Sequence, residues 1–303
     1  MYLTVMALGT FLDETFYGFD MFCFKFFGTI HNTFFTYLAK FFTSFGDENF
    51  IIPIVVLAIV LMFFKKTRKY GFAIAFAVLI GTILTNVVLK PLALRIRPYN
   101  TLQGDADYWA WYIGAGALSE SDYSFPSGHT TGAFEIAVSF ALVLRSEGKK
   151  KVSWIPPIIA VCVMGSRVYL MVHYATDVIG GMLAGLVAAV GGYYLMKLVM
   201  MLIGRTKKNN ILRKGLEDTK AFKWVNGAWG TVVIVVAVVA IFLYSFIPLL
   251  SEGGEEAIRC AYDGDYDCYN EAKVDDEDYP PIGGEYYCKI HWNEISGADD
   301  GIL

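Results

Sequence analysis

Long runs of apolar residues, separated by short polar or basic segments, dominate the pattern of this chain. A helix that spans a bilayer needs about 20 mostly apolar residues. Six runs fit a spanning helix, and they cover residues 51–64, 71–89, 130–144, 152–172, 178–203 and 224–250. The pattern therefore predicts an all-α fold, a polytopic bundle of transmembrane helices with six spans.

The first 45 residues are rich in phenylalanine but are interrupted by ionisable side chains. Asp20, Lys25, His31 and Lys40 lie among the aromatic residues. Because charged groups at the centre of a bilayer are costly, this mixture favours an amphipathic helix lying in the membrane interface over a further span. We therefore divide the chain into 1–45 (interfacial helix), 46–203 (membrane core), 204–250 (basic loop and last span) and 251–303 (tail).

Basic residues cluster in three loops, at 65–70, 145–151 and 205–223. Lysine and arginine concentrate on the cytoplasmic side of membrane proteins. The three loops follow alternate predicted spans, so one orientation places all of them in the cytoplasm. The segment 95–125, the turn near His173 and the tail are then expected on the outer face.

Composition agrees with a membrane protein and reveals a division of charge. The 303 residues are 55% hydrophobic and 18% charged, with a mean hydropathy of +0.46. These values exclude disorder, coiled coil and collagen, and differ from those of an average soluble domain. Residues 1–250 hold 22 Lys/Arg against 14 Asp/Glu, a net +8, whereas residues 251–303 hold 3 against 15, a net −12.

The acidic tail has no apolar periodicity, so a solvated and partly ordered extension is the expected form. A small disulfide-linked cap over the site and a cation-binding surface remain alternatives. Cys260, Cys268 and Cys288 would face an oxidising exterior, which favours one disulfide with one thiol left over. Zinc binding is the weaker interpretation, because the tail offers His291 as its single histidine and no CxxC pair.

Three polar clusters lie at the outer ends of the predicted spans. The first is the string KPLALRIRP, with Lys90, Arg97 and Pro98. Seven residues make about two helical turns, so Lys90 and Arg97 could share a face, with Pro98 ending the helix. Arg95 would then lie off that face and extend toward the lipid headgroups, and headgroup contact is also the alternative for the other two cations.

The second cluster is the string PSGH, residues Pro126, Ser127, Gly128 and His129, directly before an apolar run. A proline at the first helical position and free backbone N–H groups form a helix start that suits an anion. His129 could donate a proton to a departing oxygen. The alternative is a capped helix start with a histidine at the interface.

The third cluster contains Ser166, Arg167, His173 and Asp177. His173 and Asp177 are four residues apart, so the carboxylate can hold the proton of one ring nitrogen and leave the other as a nucleophile. Arg167 reaches them if the chain turns near residues 172–175. A satisfied ion pair at the interface is the alternative. Taken together, the three clusters provide three cations, backbone donors and two histidines, a phosphate site that needs no metal or cofactor.

These motifs resemble the three-part signature of the type 2 phosphatidic acid phosphatase (PAP2) family of membrane lipid phosphatases. The chain carries K-x6-RP, PSGH and SR-x5-H-x3-D in order, over roughly residues 50–203. The preceding string TSFGD, residues 43–47, is only loosely similar to the corresponding part of the family, and the last span and tail lie outside it.

The resemblance implies a role for each signature position. His173 would attack phosphorus and form a phosphohistidine, Asp177 would orient it, and His129 would protonate the leaving lipid oxygen. Pro98, Pro126 and Ser166 would support the site. The expected phosphate-binding residues are Lys90, Arg97, Ser127, Gly128 and Arg167.

The expected function is hydrolysis of a lipid phosphate on the outer face of a plasma membrane, which we expect to be bacterial. The expected substrate is undecaprenyl diphosphate, phosphatidylglycerol phosphate or phosphatidic acid. Of these, the sequence favours a polyprenyl diphosphate. Apart from substrate and membrane lipids, no nucleic-acid partner is expected. A lipid phosphotransferase, a haloperoxidase and a non-enzymatic scaffold acting through the acidic tail remain alternatives.

Overall fold

The computed structural model describes residues 2–120, 122–206 and 213–251. Within these ranges all regular secondary structure is helical, as predicted. The α-helices are α1 (Tyr2–Thr29), α2 (Thr33–Thr43), α3 (Glu48–Leu61), α4 (Arg68–Thr82), α5 (Lys90–Ala93), α6 (Pro98–Thr101), α7 (Ala106–Gly114), α8 (Gly128–Ser146), α9 (Ile155–Tyr169), α10 (Ala175–Arg205) and α11 (Ala228–Ser251). Residues 252–303 of the acidic tail, with the disulfide predicted among Cys260, Cys268 and Cys288, lie outside the described residues.

Five helical runs among the described residues are long and apolar enough to cross a membrane. They are Thr33–Leu61, Arg68–Thr101, Val152–Tyr169, Ala175–Arg205 and Ala228–Leu250. Helix α8 forms where a further span is predicted, but its many small and polar residues lower its hydropathy, so its crossing stays a prediction. The run at 33–61 passes position 45 through a single 3₁₀ turn at Ser44–Gly46, so no break in the chain marks the predicted boundary there.

The centre of the bundle is formed by α10, which packs mainly against α4 and α8. Glycines on α10 permit this close approach. A Cβ atom at Gly185 would lie 2.6 Å from the Cβ of Phe134 on α8, and one at Gly192 would lie 2.5 Å from the backbone nitrogen of Ala77 on α4. Small residues at such crossings let helix backbones approach closely, which is the usual packing of helices in membranes.

The two ends of the bundle differ in chemistry. The three basic loops meet at one end, where Lys65 pairs with Asp218 and Lys69 lies 3.3 Å from Glu147. At the other end α5 and α9 terminate while α8 and α10 begin. All three polar clusters of the sequence therefore lie at the end of the bundle opposite the basic loops.

A stretch of π-helix, Ile83–Leu89, connects α4 to α5 at that end. π-Helical turns often occur at functional sites, because the extra residue re-aims the side chains that follow. Helix α5 then ends at Ala93, and Leu94 closes it in the left-handed conformation with φ 48°. The predicted continuous helix from Lys90 to Arg97 is therefore wrong, since Arg97 lies in an extended segment and Pro98 begins α6 rather than ending α5.

Candidate active site

His173 lies in the turn between α9 and α10, and its side chain is fully buried. The turn forms because α9 ends at Tyr169 and α10 starts at Ala175, with Met171 in the left-handed region. On one side of the ring, Nδ1 lies 3.5 Å from Oδ2 of Asp177 and 3.4 Å from the hydroxyl of Ser124. Ser124 donates a hydrogen bond to the same carboxylate oxygen at 2.5 Å. Nδ1 of the imidazole thus faces the carboxylate of Asp177, whose own position is fixed by Ser124.

The other ring nitrogen of His173 faces a cation. Nη1 of Arg97 lies 3.1 Å from Nε2 of His173 and donates to the carbonyl of Val172 at 3.1 Å. A guanidinium can only donate hydrogen bonds, so Nε2 accepts and the ring proton resides on Nδ1, toward Asp177. This tautomer leaves the lone pair of Nε2 directed into the site.

The protonation state of His173 also suits a nucleophile. Burial lowers the pKa of His173 to about 4, against the opposing effect of its hydrogen bond to Asp177. Charged forms are disfavoured where water is excluded, and the neighbouring arginines act in the same direction. The imidazole is therefore neutral at physiological pH.

Arg97 and Arg167 form a clamp around an acidic side chain. Both arginines are 2% exposed, and both pair with the carboxylate of Glu120. Arg167 also donates from Nη1 to the hydroxyl of Thr43 at 2.9 Å. Its buried Nε has no hydrogen-bond partner among the described residues. The clamp can therefore offer a larger anion more donors than Glu120 uses.

The carboxylate of Glu120 lies between both histidines as well as both arginines. It is 3.7 Å from Nδ1 of His129 and 3.9 Å from Nε2 of His173. Burial by itself would raise the pKa of Glu120, but Arg167 and the other positive neighbours hold that pKa well below its usual range. A carboxylate thus occupies the position between His173 and His129, where the resemblance to the PAP2 signature would place a phosphoryl group.

Lys90 joins the clamp through a second acidic residue of the same loop. Asp122 pairs with both Lys90 and Arg97. Burial would raise the pKa of Asp122, but its hydrogen bond from Lys90 and the charge of Arg97 lower it. The two predicted cations thus come together across Asp122 rather than along one helix face.

His129 stands in the first turn of α8, beside the clamp. Its Nε2 lies 3.6 Å from Oδ2 of Asp47, which caps the start of α3. A Cβ atom at Gly128 would lie 3.8 Å from Nζ of Lys90, so the start of α8 and the lysine are neighbours. The first backbone N–H groups of a helix have no partner within it and attract anions.

Four predicted residues have local structural roles. The hydroxyl of Ser127 caps α8 by accepting from the backbone of Thr130, and Ser127 is buried. Pro126 therefore precedes the cap rather than occupying the first helical position. Ser166 donates to the carbonyl of Val163 within α9 at 2.7 Å, and Pro98 is a buried residue at the start of α6.

Arg95 differs most from its expected place. It is 1% exposed, not extended toward headgroups. Its guanidinium donates to Oδ1 of Asp177 at 2.6 Å, to Asp20 at 2.9 Å and to Asp13 at 2.7 Å. Asp20 also accepts from the backbone of Thr176 at 2.9 Å. The residue treated as unrelated to the site is thus a direct partner of its aspartate.

Five residues of the site are not signature positions of the three motifs: Asp47, Arg95, Glu120, Asp122 and Ser124. Sequence signals for three of these were present, since Asp47 ends the string TSFGD and the acidic pair Glu120 and Asp122 interrupts the loop before PSGH. Thr43 opens the same string and bonds Arg167. The string TSFGD therefore contacts both Arg167 and His129.

A cleft of about 1230 Å³ leads from these residues down between the helices. Its upper part is lined by Lys90, Glu120, His129 and Arg167, and its walls come from α3, α4, α8 and α11. From Ile51 onward the wall formed by α3 is apolar and includes Ile51 and Val55. The site therefore opens into a groove that can hold the apolar part of a lipid.

Comparison with known proteins agrees with this geometry. The profile of the PAP2 superfamily matches residues 66–201. A solved transmembrane PAP2 type phosphatidylglycerolphosphate phosphatase from Bacillus subtilis superposes with a TM-score of 0.51 at 28% identity, covering 68% of this chain and 96% of that one. The chain belongs to the PAP2 superfamily. Its match includes the positions of all three motifs.

Two curated relatives show the range of substrates in this PAP2 group. Phosphatidylglycerophosphatase B of Bacillus subtilis (strain 168) is 37% identical over 48% of this chain and 66% of its own length. An undecaprenyl-diphosphatase of Sulfolobus acidocaldarius is 35% identical over 49% of this chain and 64% of its own length. The chain thus spans slightly less than two thirds of these PAP2 relatives.

Proposed function

We propose that this PAP2 protein is a membrane lipid phosphatase that acts through a phosphohistidine at His173. The observation that carries the proposal is the position of the Glu120 carboxylate. It is bound by two buried arginines and lies within 4 Å of ring nitrogens of both His129 and His173. A site built to hold one anion between a nucleophile and an acid suits phosphoryl transfer.

The reaction would proceed in two balanced steps. Nε2 of His173 attacks phosphorus while the bond from phosphorus to the lipid oxygen breaks, and His129 gives that oxygen its proton. Water then attacks the phosphohistidine, His129 takes a proton from it, and the nitrogen–phosphorus bond breaks to release phosphate. Arg97, Arg167 and Lys90 stabilise the charge on the phosphoryl oxygens throughout.

Asp177 supports both steps without touching the substrate. It accepts a hydrogen bond from Nδ1–H of His173, which keeps Nε2 unprotonated before attack and stabilises the positive ring once the bond to phosphorus forms. Asp47 is placed to do the same for His129. Each histidine thus has its own carboxylate.

The substrate would be a lipid phosphomonoester or diphosphate that enters from the bilayer through the cleft. The named relatives act on phosphatidylglycerophosphate and undecaprenyl diphosphate, and the apolar wall of α3 suits either lipid. We further propose that the site faces the outside, because the basic loops gather at the opposite end of the bundle.

The decisive experiment measures phosphate release by the purified protein from a panel of lipid phosphates in EDTA. Activity in EDTA that disappears in His173→Ala supports the proposal, as does an acid-labile phosphoprotein seen with labelled substrate in wild type alone. Full activity of His173→Ala, or loss of all activity in EDTA, would contradict it. Transfer of label to a lipid or glycan acceptor in place of water would identify a phosphotransferase with the same intermediate.

Orientation and the role of the tail need separate measurements. Substrate added outside sealed, right-side-out vesicles should be hydrolysed without permeabilisation if the site faces outward. In cells, a chain ending at residue 251 should keep phosphatase activity, whereas His173→Ala should lose it. The opposite pattern would favour a scaffold that acts through the acidic tail.

A further inference from the structure

Glu135 is an acidic side chain in α8 that the mechanism above does not use. It is 3% exposed, and its Oε2 has no hydrogen-bond partner among the described residues. No charged side chain of the described residues pairs with Glu135. An ionised carboxylate without a cation is costly at a buried position, so the group is a neutral acid that can both donate and accept.

Glu135 lines the same cleft as the proposed phosphate-binding residues, below the start of α8. Gly128, Gly132 and Glu135 follow one face of α8 and all line the cleft. Seven residues of helix rise about 10 Å, so Glu135 lies roughly that far below the helix start where the phosphate would bind. The groove narrows at Gly132, where a Cβ atom would lie 2.2 Å from Cδ1 of Ile51 on α3, so a lipid chain would pass the Ile51 side chain to reach Glu135.

The facing wall is also polar at this depth. Thr82 and Asn86 line the cleft and are exposed to it. Gly81 on α4 provides the space for the carboxyl group, since a Cβ atom there would overlap Oε2 of Glu135. The cleft therefore combines an apolar wall on α3 with hydrogen-bonding groups a short distance below the phosphate position.

We propose that Glu135 is a specificity-determining residue, which hydrogen-bonds an acyl carbonyl of a glycerolipid phosphate. This inference rests on the proposed function and names its substrate class. In an acylglycerol phosphate, ester carbonyls lie a few bonds from the phosphorus, whereas a polyprenyl chain carries no polar atom below its phosphate. A polyprenyl chain in the cleft would leave the carboxyl group buried and unpaired, which disfavours that substrate. The class expected here is thus the acylglycerol phosphates, not the polyprenyl diphosphates that the sequence alone favoured.

The test compares two lipids that differ in the carbonyl groups alone. Phosphatidic acid with two ester chains and its dialkyl ether analogue of equal chain length are assayed with wild type in mixed micelles, with farnesyl phosphate as the polyprenyl probe. The expected kcat/KM of wild type is at least about fivefold higher for the ester than for the ether, as one buried hydrogen bond implies.

Variants at position 135 then test whether Glu135 causes the preference for the ester. Glu135→Leu should lower kcat/KM for the ester and leave the ether unchanged, so that the ratio approaches one. Glu135→Gln should retain most of the ratio, because the amide donates and accepts. Ser139→Ala is the matched control, since Ser139 is a buried polar residue one turn further along α8 that bonds within the helix. A purely structural role would lower both activities equally.

Each outcome has one meaning. Equal rates for ester and ether in wild type, an unchanged ratio in Glu135→Leu, or hydrolysis of farnesyl phosphate alone would overturn this inference while leaving the phosphatase intact. Absence of phosphate release from all three lipids would instead refute the proposed function itself. If Glu135→Leu does not fold, the ratio of kcat/KM for the ester to that for the ether, measured in wild type and in Glu135→Gln, still tests the inference.

Discussion

Arg95 donates a 2.6 Å hydrogen bond to Oδ1 of Asp177, the carboxylate oxygen that does not face His173. The other oxygen, Oδ2, accepts from Ser124 and from the backbone of Tyr174 at 3.0 Å. The carboxylate that orients the proposed nucleophile is thus fixed on both sides. Arg95 acts through Asp177 and is a positioning residue.

Replacing Arg95 with alanine should lower kcat with little change in KM. We expect a loss of about tenfold or more, because residues within one hydrogen-bond network are coupled by roughly 0.5–3 kcal/mol. Steady-state kinetics with a lipid phosphate measure kcat and KM separately. Arg145→Ala, at the end of the bundle where the basic loops lie, is the matched control and should behave as wild type.

Loss of stability is the alternative explanation for a defect in Arg95→Ala, because the change leaves buried carboxylates without their cation. Asp20→Asn separates loss of positioning from loss of stability, since it weakens one hydrogen bond to Arg95 and keeps the contact of Arg95 with Asp177. It should give a smaller decrease in kcat. A rise in KM at constant kcat in either variant would contradict a positioning role.

Glu120 should compete with phosphate for the clamp. In Glu120→Gln the charge that occupies the position is removed, so inorganic phosphate should inhibit more strongly. A decrease in its inhibition constant of about tenfold corresponds to 1.4 kcal/mol of relieved repulsion. Competition assays with phosphate measure it, and Asp107→Asn, an exposed acidic residue of α7, serves as the control. Unchanged or weaker inhibition would show that Glu120 does not share the phosphate position.

A leaving-group comparison tests the role of His129. Removal of a general acid commonly costs about 10²- to 10⁴-fold when the leaving oxygen is a poor one. His129→Ala should therefore show a large decrease in kcat with a lipid phosphate and a much smaller one with p-nitrophenyl phosphate, whose leaving group departs without a proton. Equal decreases for both substrates would point to a binding role instead.

The pH dependence of the reaction should reflect the burial of His173. Attack needs the neutral imidazole, and the pKa of His173 lies at about 4, below the usual 6.5. The sign follows directly: as the pH falls, His173 stays neutral through pH 6 and gains its proton only near pH 4. The His173 contribution to the acid limb of kcat/KM should therefore lie near pH 4.

Asp177→Asn provides the comparison for this profile. Its amide does not stabilise a positive ring, so kcat should fall even at neutral pH. A wild-type acid limb with its midpoint near pH 6.5, or a profile that Asp177→Asn leaves unchanged, would contradict the assignment. Initial rates in EDTA across pH 3.5–8 supply the measurement.

The sequence was sufficient where the information is local. The apolar runs located the helices, because a helix that spans a bilayer needs about 20 mostly apolar residues in succession. Alternating basic loops placed the three motifs at one end. The turn between Arg167 and His173 also followed from the sequence, since the two residues could not otherwise meet on one helix.

The sequence was insufficient where residues far apart in the chain come into contact. Arg95 was assigned to the lipid headgroups on the assumption of one continuous helix, but the left-handed residue Leu94 ends that helix and lets Arg95 reach α1 and α10. The acidic residues of the loop before PSGH carried no periodic signal. Their pairing with the clamp depends on loop conformation, which local propensity does not determine.

By itself, then, the sequence determined an all-helical membrane protein with Lys90, Arg97, His129, Arg167 and His173 at one end of its bundle. Only the tertiary structure decided how those residues are held: Asp177 between Arg95 and His173, Glu120 within the clamp, and Glu135 in the cleft. The physical reason is that a buried charge or polar group must find its partner in space. Helix packing and loop geometry set those distances, and neither is written in the spacing of a motif.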